Sequence, residues 1–133
     1  MNEVSSDPST VKPTETFTGD VYLTMLKAPT SPSRLAVGRV HFTPGARTFW
    51  HRHAQGQTLV VLEGSGLVGT RDGTVQTFRA GDTVWCPADE DHWHGAGPET
   101  SMTHLSLTES DEGSGATWLE PVTDEQYAAP VAG

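Results

Sequence analysis

A single cysteine, Cys86, is all the thiol this chain of 133 residues contains. No internal disulfide is possible, which agrees with a reducing compartment. Cys86 lies between Trp85 and Pro87 in a strand-like run, so a buried and inert thiol is expected rather than a nucleophile. Positive charge is also scarce. Eight Lys and Arg face seventeen Asp and Glu, a net charge of −9, and from Glu99 onward there are seven acids and no Lys or Arg. Such a surface repels phosphate backbones, which excludes nucleic acid as a partner. Long apolar runs are missing, with 35% hydrophobic residues overall. No transmembrane helix and no membrane partner are therefore expected. The start, Met1-Asn2-Glu3-Val4-Ser5-Ser6, lacks the basic and apolar regions of a signal peptide, and a cytoplasmic location follows as the expectation.

Helical periodicity is absent until the end of the chain. What replaces it is a series of short β-type runs separated by turn residues, the pattern of an all-β sandwich or barrel in a single domain. Strands are expected at residues 21–27, 35–43, 48–53, 58–62, 66–70, 74–78, 83–86, 92–96 and 101–108. Gly64-Ser65 reads as a hairpin between two of them, and Arg71-Asp72-Gly73 as a second, because Asp-Gly accepts positive φ. Residues 1–16, rich in Ser, Thr, Pro and acids, read as a mobile N-terminal arm. The barrel domain is expected over residues 17–127, with a loose C-terminus at 128–133. Thr123-Asp124-Glu125-Gln126 forms a capping box, which predicts one short C-terminal helix.

The chemistry-bearing residues fall in two segments. The first is Gly45-x5-His51-x-His53-x3-Gln57-x6-Gly64, and the second is Gly81-x5-Pro87-x4-His92. Side chains alternate faces along a strand, so His51 and His53 point the same way. Two neutral imidazoles converging on one cation suit Zn, Mn, Fe, Ni or Cu. Gln57 can add an amide oxygen, and His92 can close the site from across the barrel. His94, in phase with His92, and His104 are the candidates for proton transfer, since the ordinary histidine pKa of ~6.5 suits that task. Gly38, Val40, Phe42 and Phe49, with Thr108 at the rim, would shape a small apolar substrate pocket. His41 should face outward, Trp93 should face away from the histidines, and Arg47 and Arg52 should be solvated.

Both segments resemble the two motifs of the cupin family, over residues 45–96. Gln57 stands where that family usually has an acidic ligand, Asp89 where a glycine is common, and Ala96 where an asparagine is common. Further runs, among them Gly81-Asp82-Thr83-Val84-Trp85, His92-Trp93-His94-Gly95-Ala96 and Met102-Thr103-His104-Leu105, resemble small bacterial single-domain cupins often labelled carboxymuconolactone-decarboxylase-like. That group includes manganese-dependent hydroxynitrile lyases, and the likeness extends over roughly residues 17–127. The resemblance implies a jelly-roll β-barrel, one divalent ion per chain with manganese first and iron, zinc or nickel as alternatives, and a homodimer or higher homo-oligomer. It also implies a small-molecule substrate and reversible cleavage of a cyanohydrin or related α-hydroxy or carbonyl compound.

Three histidines and a glutamine contribute no ligand charge, so a bound ion keeps nearly its full charge and acts as a stronger Lewis acid. A metal-dependent lyase is the leading expectation. The alternatives are a dioxygenase or isomerase acting on a small acid, and a ligand-binding cupin without turnover.

Overall fold

The computed structural model describes residues 1–4, 9–110 and 115–132. Residues 5–8 of the expected arm, Asp111 and Glu112 of the acidic tail, and the terminal Gly133 lie outside the described residues. The elements, in order, are β1 (Thr10–Val11), β2 (Phe17–Thr18), β3 (Val21–Lys27), β4 (Leu35–Phe42), β5 (Arg47–Thr48), β6 (His51–Arg52), β7 (Gln57–Thr70), β8 (Val75–Arg79), β9 (Thr83–Cys86), β10 (His92–Ala96), β11 (Met102–Glu109), β12 (Thr117–Trp118) and α1 (Asp124–Tyr127).

Among the described residues all twelve strands belong to one curled sheet, whose main path runs β1-β3-β4-β11-β7-β10-β5-β2. Strand β7 holds it together. Its first half pairs with β11 and β9, and its second half with β10 and β8. The expected hairpin at Gly64-Ser65 is therefore replaced by one continuous strand that turns a corner. Gly64 makes the corner: its φ is +72°, and a Cβ there would run into the Ser101 carbonyl oxygen. A hairpin would need the two halves to pair with each other, yet each half finds its hydrogen bonds on a different neighbour. A second departure lies at residues 48–53, where the expected strand is broken into β5 and β6 around Phe49 and Trp50.

Alternation along β4 decides what faces inward. Gly38, Val40 and Phe42 are buried, whereas Arg39 is exposed. Val40 and Phe42 pack with Val21, Val61, Ala96 and Met102 in one apolar cluster. Trp50, Leu67, Val75, Trp93 and Val122 form another. Trp93 thus lies on the opposite face of β10 from His92 and His94, and is only 1% exposed. Burying large side chains of this kind contributes about 2–3 kcal/mol apiece.

Arg47 is not solvated. Only 6% exposed, it donates to the Val122 carbonyl at 2.9 Å and to Asp124 at 2.8 Å, and its guanidinium lies over the Tyr127 ring. The cause is again alternation: Thr48 takes the cavity face of β5, so Arg47 meets the C-terminal segment. Arg52 remains half-exposed and pairs with Asp91 at 3.1 Å. His41 lies off the cavity, half-buried, with its Nδ1 2.8 Å from the Thr103 hydroxyl.

The capping box forms at α1. Thr123 accepts from the Gln126 amide, and the Gln126 side chain accepts from the Thr123 amide. Within the segment expected as an arm, Thr10 and Val11 pair with Thr24 and Leu23 of β3. At the other end, the Ala132 amide donates to the Val75 carbonyl at 2.7 Å. Cys86 is buried, and that burial, helped by the negative charge of Glu90, pushes its thiol up to about 12. Among the described residues no helix is long and apolar enough to cross a membrane.

Candidate metal centre

Cross-strand register assembles the site. His51 of β6 stands directly opposite His92 of β10, with ring centroids 4.3 Å apart. His53 follows at period two, and its ring lies 5.1 Å from that of His51. One nitrogen from each of these three imidazoles lies within 4.8 Å of the others, and all three residues are buried.

The outer nitrogens explain the orientation. Nδ1 of His51 donates to the Phe49 carbonyl at 2.9 Å, Nδ1 of His53 to the Gly115 carbonyl at 2.6 Å, and Nδ1 of His92 to the Glu90 carbonyl at 3.1 Å. A carbonyl can only accept, so each ring carries its proton on Nδ1 and presents a bare Nε2. Burial, the largest cause in each case, holds all three below the ordinary histidine pKa, His92 at about 4. They are neutral at pH 7.

Gln57 begins β7 and is 4% exposed. Its Oε1 lies 3.1 Å from Nε2 of His92. Both atoms are acceptors, and two acceptors at that distance repel unless positive charge lies between them. Nε2 of His53 is buried with no hydrogen-bond partner among the described residues. Bare lone pairs converging on one point, with no proton to share, are what a divalent cation satisfies. His51, His53 and His92 therefore fit a metal ion, and the Gln57 oxygen lies beside them.

The other two buried histidines are arranged differently. Nδ1 of His94 lies 3.0 Å from Nε2 of His104, leaving Nε2 of His94 and Nδ1 of His104 without partners among the described residues. Burial pushes His94 well below its ordinary range and His104 down to about 4. The amide of His94 donates to the Thr48 hydroxyl at 3.2 Å. Close approach of β5 makes this contact possible, because a Cβ on Gly95 would collide with the backbone of Ala46 and Arg47.

One cavity of about 460 Å³ opens on both groups, reaching His51, His53 and Gln57 on one side and His94 and His104 on another. No Asp, Glu, Lys or Arg lines it among the described residues. Gly38, Val40 and Thr108 line it, as their strand phase predicts. Phe42 and Phe49 do not. Phe42 keeps the expected face but lies deeper, with its ring 5.8 Å from His94 and 5.3 Å from His104. Phe49 falls in the break between β5 and β6, where alternation no longer applies. It serves through its backbone, with its carbonyl on His51 and its amide donating to the Thr16 carbonyl at 2.8 Å.

Several lining residues escaped sequence reasoning. Thr48 and Ser106 line the cavity. Ser106 shares the strand phase of His104, and that phase is legible in the sequence. Trp118 packs against His51 with centroids 4.6 Å apart and the rings tilted by 34°, and Phe17 packs against Trp118 at 5.8 Å. No local pattern marks either aromatic, because each reaches the cavity from a distant segment.

The cupin domain family matches residues 38–107. Over 127 residues the chain is 44% identical to an (R)-mandelonitrile lyase from Granulicella tundricola, covering 96% of this chain and 97% of that protein. A dimethylsulfoniopropionate lyase from Ruegeria pomeroyi is 39% identical over 69 residues, 52% of this chain and 45% of that protein. A solved cupin-like protein from Thermotoga maritima has a TM-score of 0.80 and 34% identity, with 95% of each chain covered.

Proposed function

The chain belongs to the cupin family, and on that premise we propose that it is a metal-dependent lyase that reversibly cleaves a small cyanohydrin to an aldehyde and hydrogen cyanide. The observation that carries this reading is the shared cavity. A neutral imidazole pair with unpartnered nitrogens opens on the same uncharged space as the bare lone pairs of His51 and His53. The near full-length identity to a mandelonitrile lyase supports the substrate class.

His51, His53, His92 and Gln57 would hold the ion. When bound, it supplies Lewis acidity toward an oxygen, which makes a hydroxyl proton easier to remove. The rest falls to the chain's own groups. The pair His94 and His104, neutral at pH 7, takes the hydroxyl proton on a free ring nitrogen. The electrons of that O–H bond become the second bond of the carbonyl. The carbon–carbon bond breaks with its pair on the cyanide carbon, and the imidazole returns the proton there, releasing hydrogen cyanide. The apolar walls at Val40, Leu23 and Phe17 suit an uncharged substrate and limit the water that would compete for protons. With no cationic side chain lining the cavity among the described residues, a carboxylate finds no ion-pair partner on its walls.

We extend the proposal to manganese as the ion, to a homodimer and to a cytoplasmic location. The neutral nitrogen and oxygen donor set accepts manganese among several divalent ions. Trp85, 59% exposed on β9, supports self-association, because β9 pairs only with β7 among the described residues.

The test is direct. Manganese-loaded protein is expected to release benzaldehyde from mandelonitrile, followed by absorbance. Release no faster than that of the metal-stripped protein would remove this reaction.

A further inference from the structure

Ser106 has no part in the chemistry above, yet its hydroxyl touches the one ligand whose orientation is ambiguous. A carboxamide can offer a cation only its oxygen, so Oε1 of Gln57 must face the three Nε2 atoms and the NH2 group must point away. In the structure that NH2 donates to Oγ of Ser106 at 2.8 Å. Ser106 belongs to the inward face of β11 and stands opposite Leu59 of β7, while Gln57 stands opposite Thr108. Thr108 continues the contact, its hydroxyl 3.3 Å from that of Ser106.

We propose that Ser106 is a positioning residue for the metal centre: it accepts the NH2 hydrogen of Gln57 and so holds the carboxamide oxygen toward the ion. The inference rests on the metal reading of the site. Its force lies in a difference between two states. Without an ion, the NH2 of Gln57 has a second acceptor within reach, the bare Nε2 of His92, 3.1 Å from the present position of Oε1. The amide can turn over and remain satisfied. With an ion bound, that acceptor is occupied and the oxygen is committed, so the NH2 depends on Ser106. Loss of the hydroxyl then strands a donor on a residue 4% exposed, in the loaded state alone. Affinity for the ion should fall while the stability of the ion-free fold does not. A carboxylate at position 57 has no NH2 to strand, so it should not need Ser106 in this way.

The experiment compares five proteins: the natural chain, Ser106→Ala, Ser106→Thr, Gln57→Glu and the double variant that combines Ser106→Ala with Gln57→Glu. Manganese(II) is titrated into each metal-free protein, and free ion is read by electron paramagnetic resonance. Thermal melting of the ion-free proteins is read by circular dichroism. Ser106→Ala is expected to weaken manganese binding about tenfold when Gln57 is kept, the lower end for groups that orient a ligand. In the Gln57→Glu background the loss should stay under about twofold, the signature of direct coupling between the two positions. Ser106→Thr, which keeps a hydroxyl, should restore most of the affinity. Should the alanine variant not fold, Ser106→Cys, close in size and a poor acceptor, gives the same reading. An equal loss in both backgrounds overturns the inference, as does unchanged affinity in Ser106→Ala, which would mean that a cavity water replaces the hydroxyl. A natural chain that binds no manganese removes the metal reading together with this one.

Discussion

Five histidines of this molecule are buried, and they divide into two groups by a single criterion: what the outer ring nitrogen touches. In His51, His53 and His92 it donates to a backbone carbonyl. That bond fixes the tautomer and the ring plane, and it leaves a bare nitrogen aimed inward. In His94 and His104 the rings bond to each other, and a nitrogen at each end of the pair stays free. The first arrangement is rigid and acceptor-only, which suits a cation. The second carries a hydrogen that can shift along the pair, which suits proton transfer. The same side chain at the same depth is thus given different chemistry by its neighbour's donor or acceptor character.

The comparison is broken most severely by deleting a member of the first group. His92→Ala is expected to lower manganese affinity by at least about a hundredfold and take mandelonitrile cleavage to background. His104→Asn should act on the second group alone, cutting turnover by roughly 10²–10⁴ while one ion per chain is still bound. Metal content and turnover measured on the two variants check the division. If His104→Asn also empties the site, the two groups are not separable.

Acid gives a smaller effect with a definite sign. Burial holds His104 at about 4 in the folded chain, against ~6.5 when unfolded. Between those values the unfolded chain binds the proton and the folded chain does not. Stability is therefore full above about pH 6.5 and is lost as pH falls toward 4, by roughly 3 kcal/mol from this residue. Below that the residue adds no further slope. Urea unfolding of the metal-free protein across this range should show a shallower dependence in His104→Asn than in the natural chain.

The smallest effect concerns the scaffold beneath the pair. Thr48→Val keeps the shape of the side chain but removes the acceptor of the buried His94 amide. A loss of about 1 kcal/mol in unfolding free energy is expected, with metal affinity unchanged. A change in metal affinity instead would mean that β5 supports both groups.

Where a strand is regular, its residues were legible in advance. Period-two alternation put His92 with His94 and Gly38 with Val40, because a continuous strand leaves each side chain no choice of face; His51 and His53 also come together, although β6 ends at Arg52. It failed where the backbone departs from that repeat. The break between β5 and β6 took Phe49 off the cavity, and the corner at Gly64 turned an expected hairpin into one long strand. Both failures have one source: a short run of residues can turn a chain back, break it or bend it, and only the partners of the flanking residues decide among these. Arg47 is a third case. Its burial depends on Val122, Asp124 and Tyr127, far along the chain, and nothing next to it in sequence announces them.

The sequence by itself determined which side chains could meet a metal, because imidazole and carboxamide donors at strand spacing have few other arrangements. It also determined that the fold would be β-structured and the chain as a whole rich in acid. The tertiary structure decided which nitrogen of each ring faces inward, and which histidines pair with one another. It likewise brought Trp118, Gly115 and Ser106 to the cavity. These are long-range matters: a ring's tautomer follows from the carbonyl or imidazole opposite it, and that neighbour is set by sheet register rather than by adjacent residues.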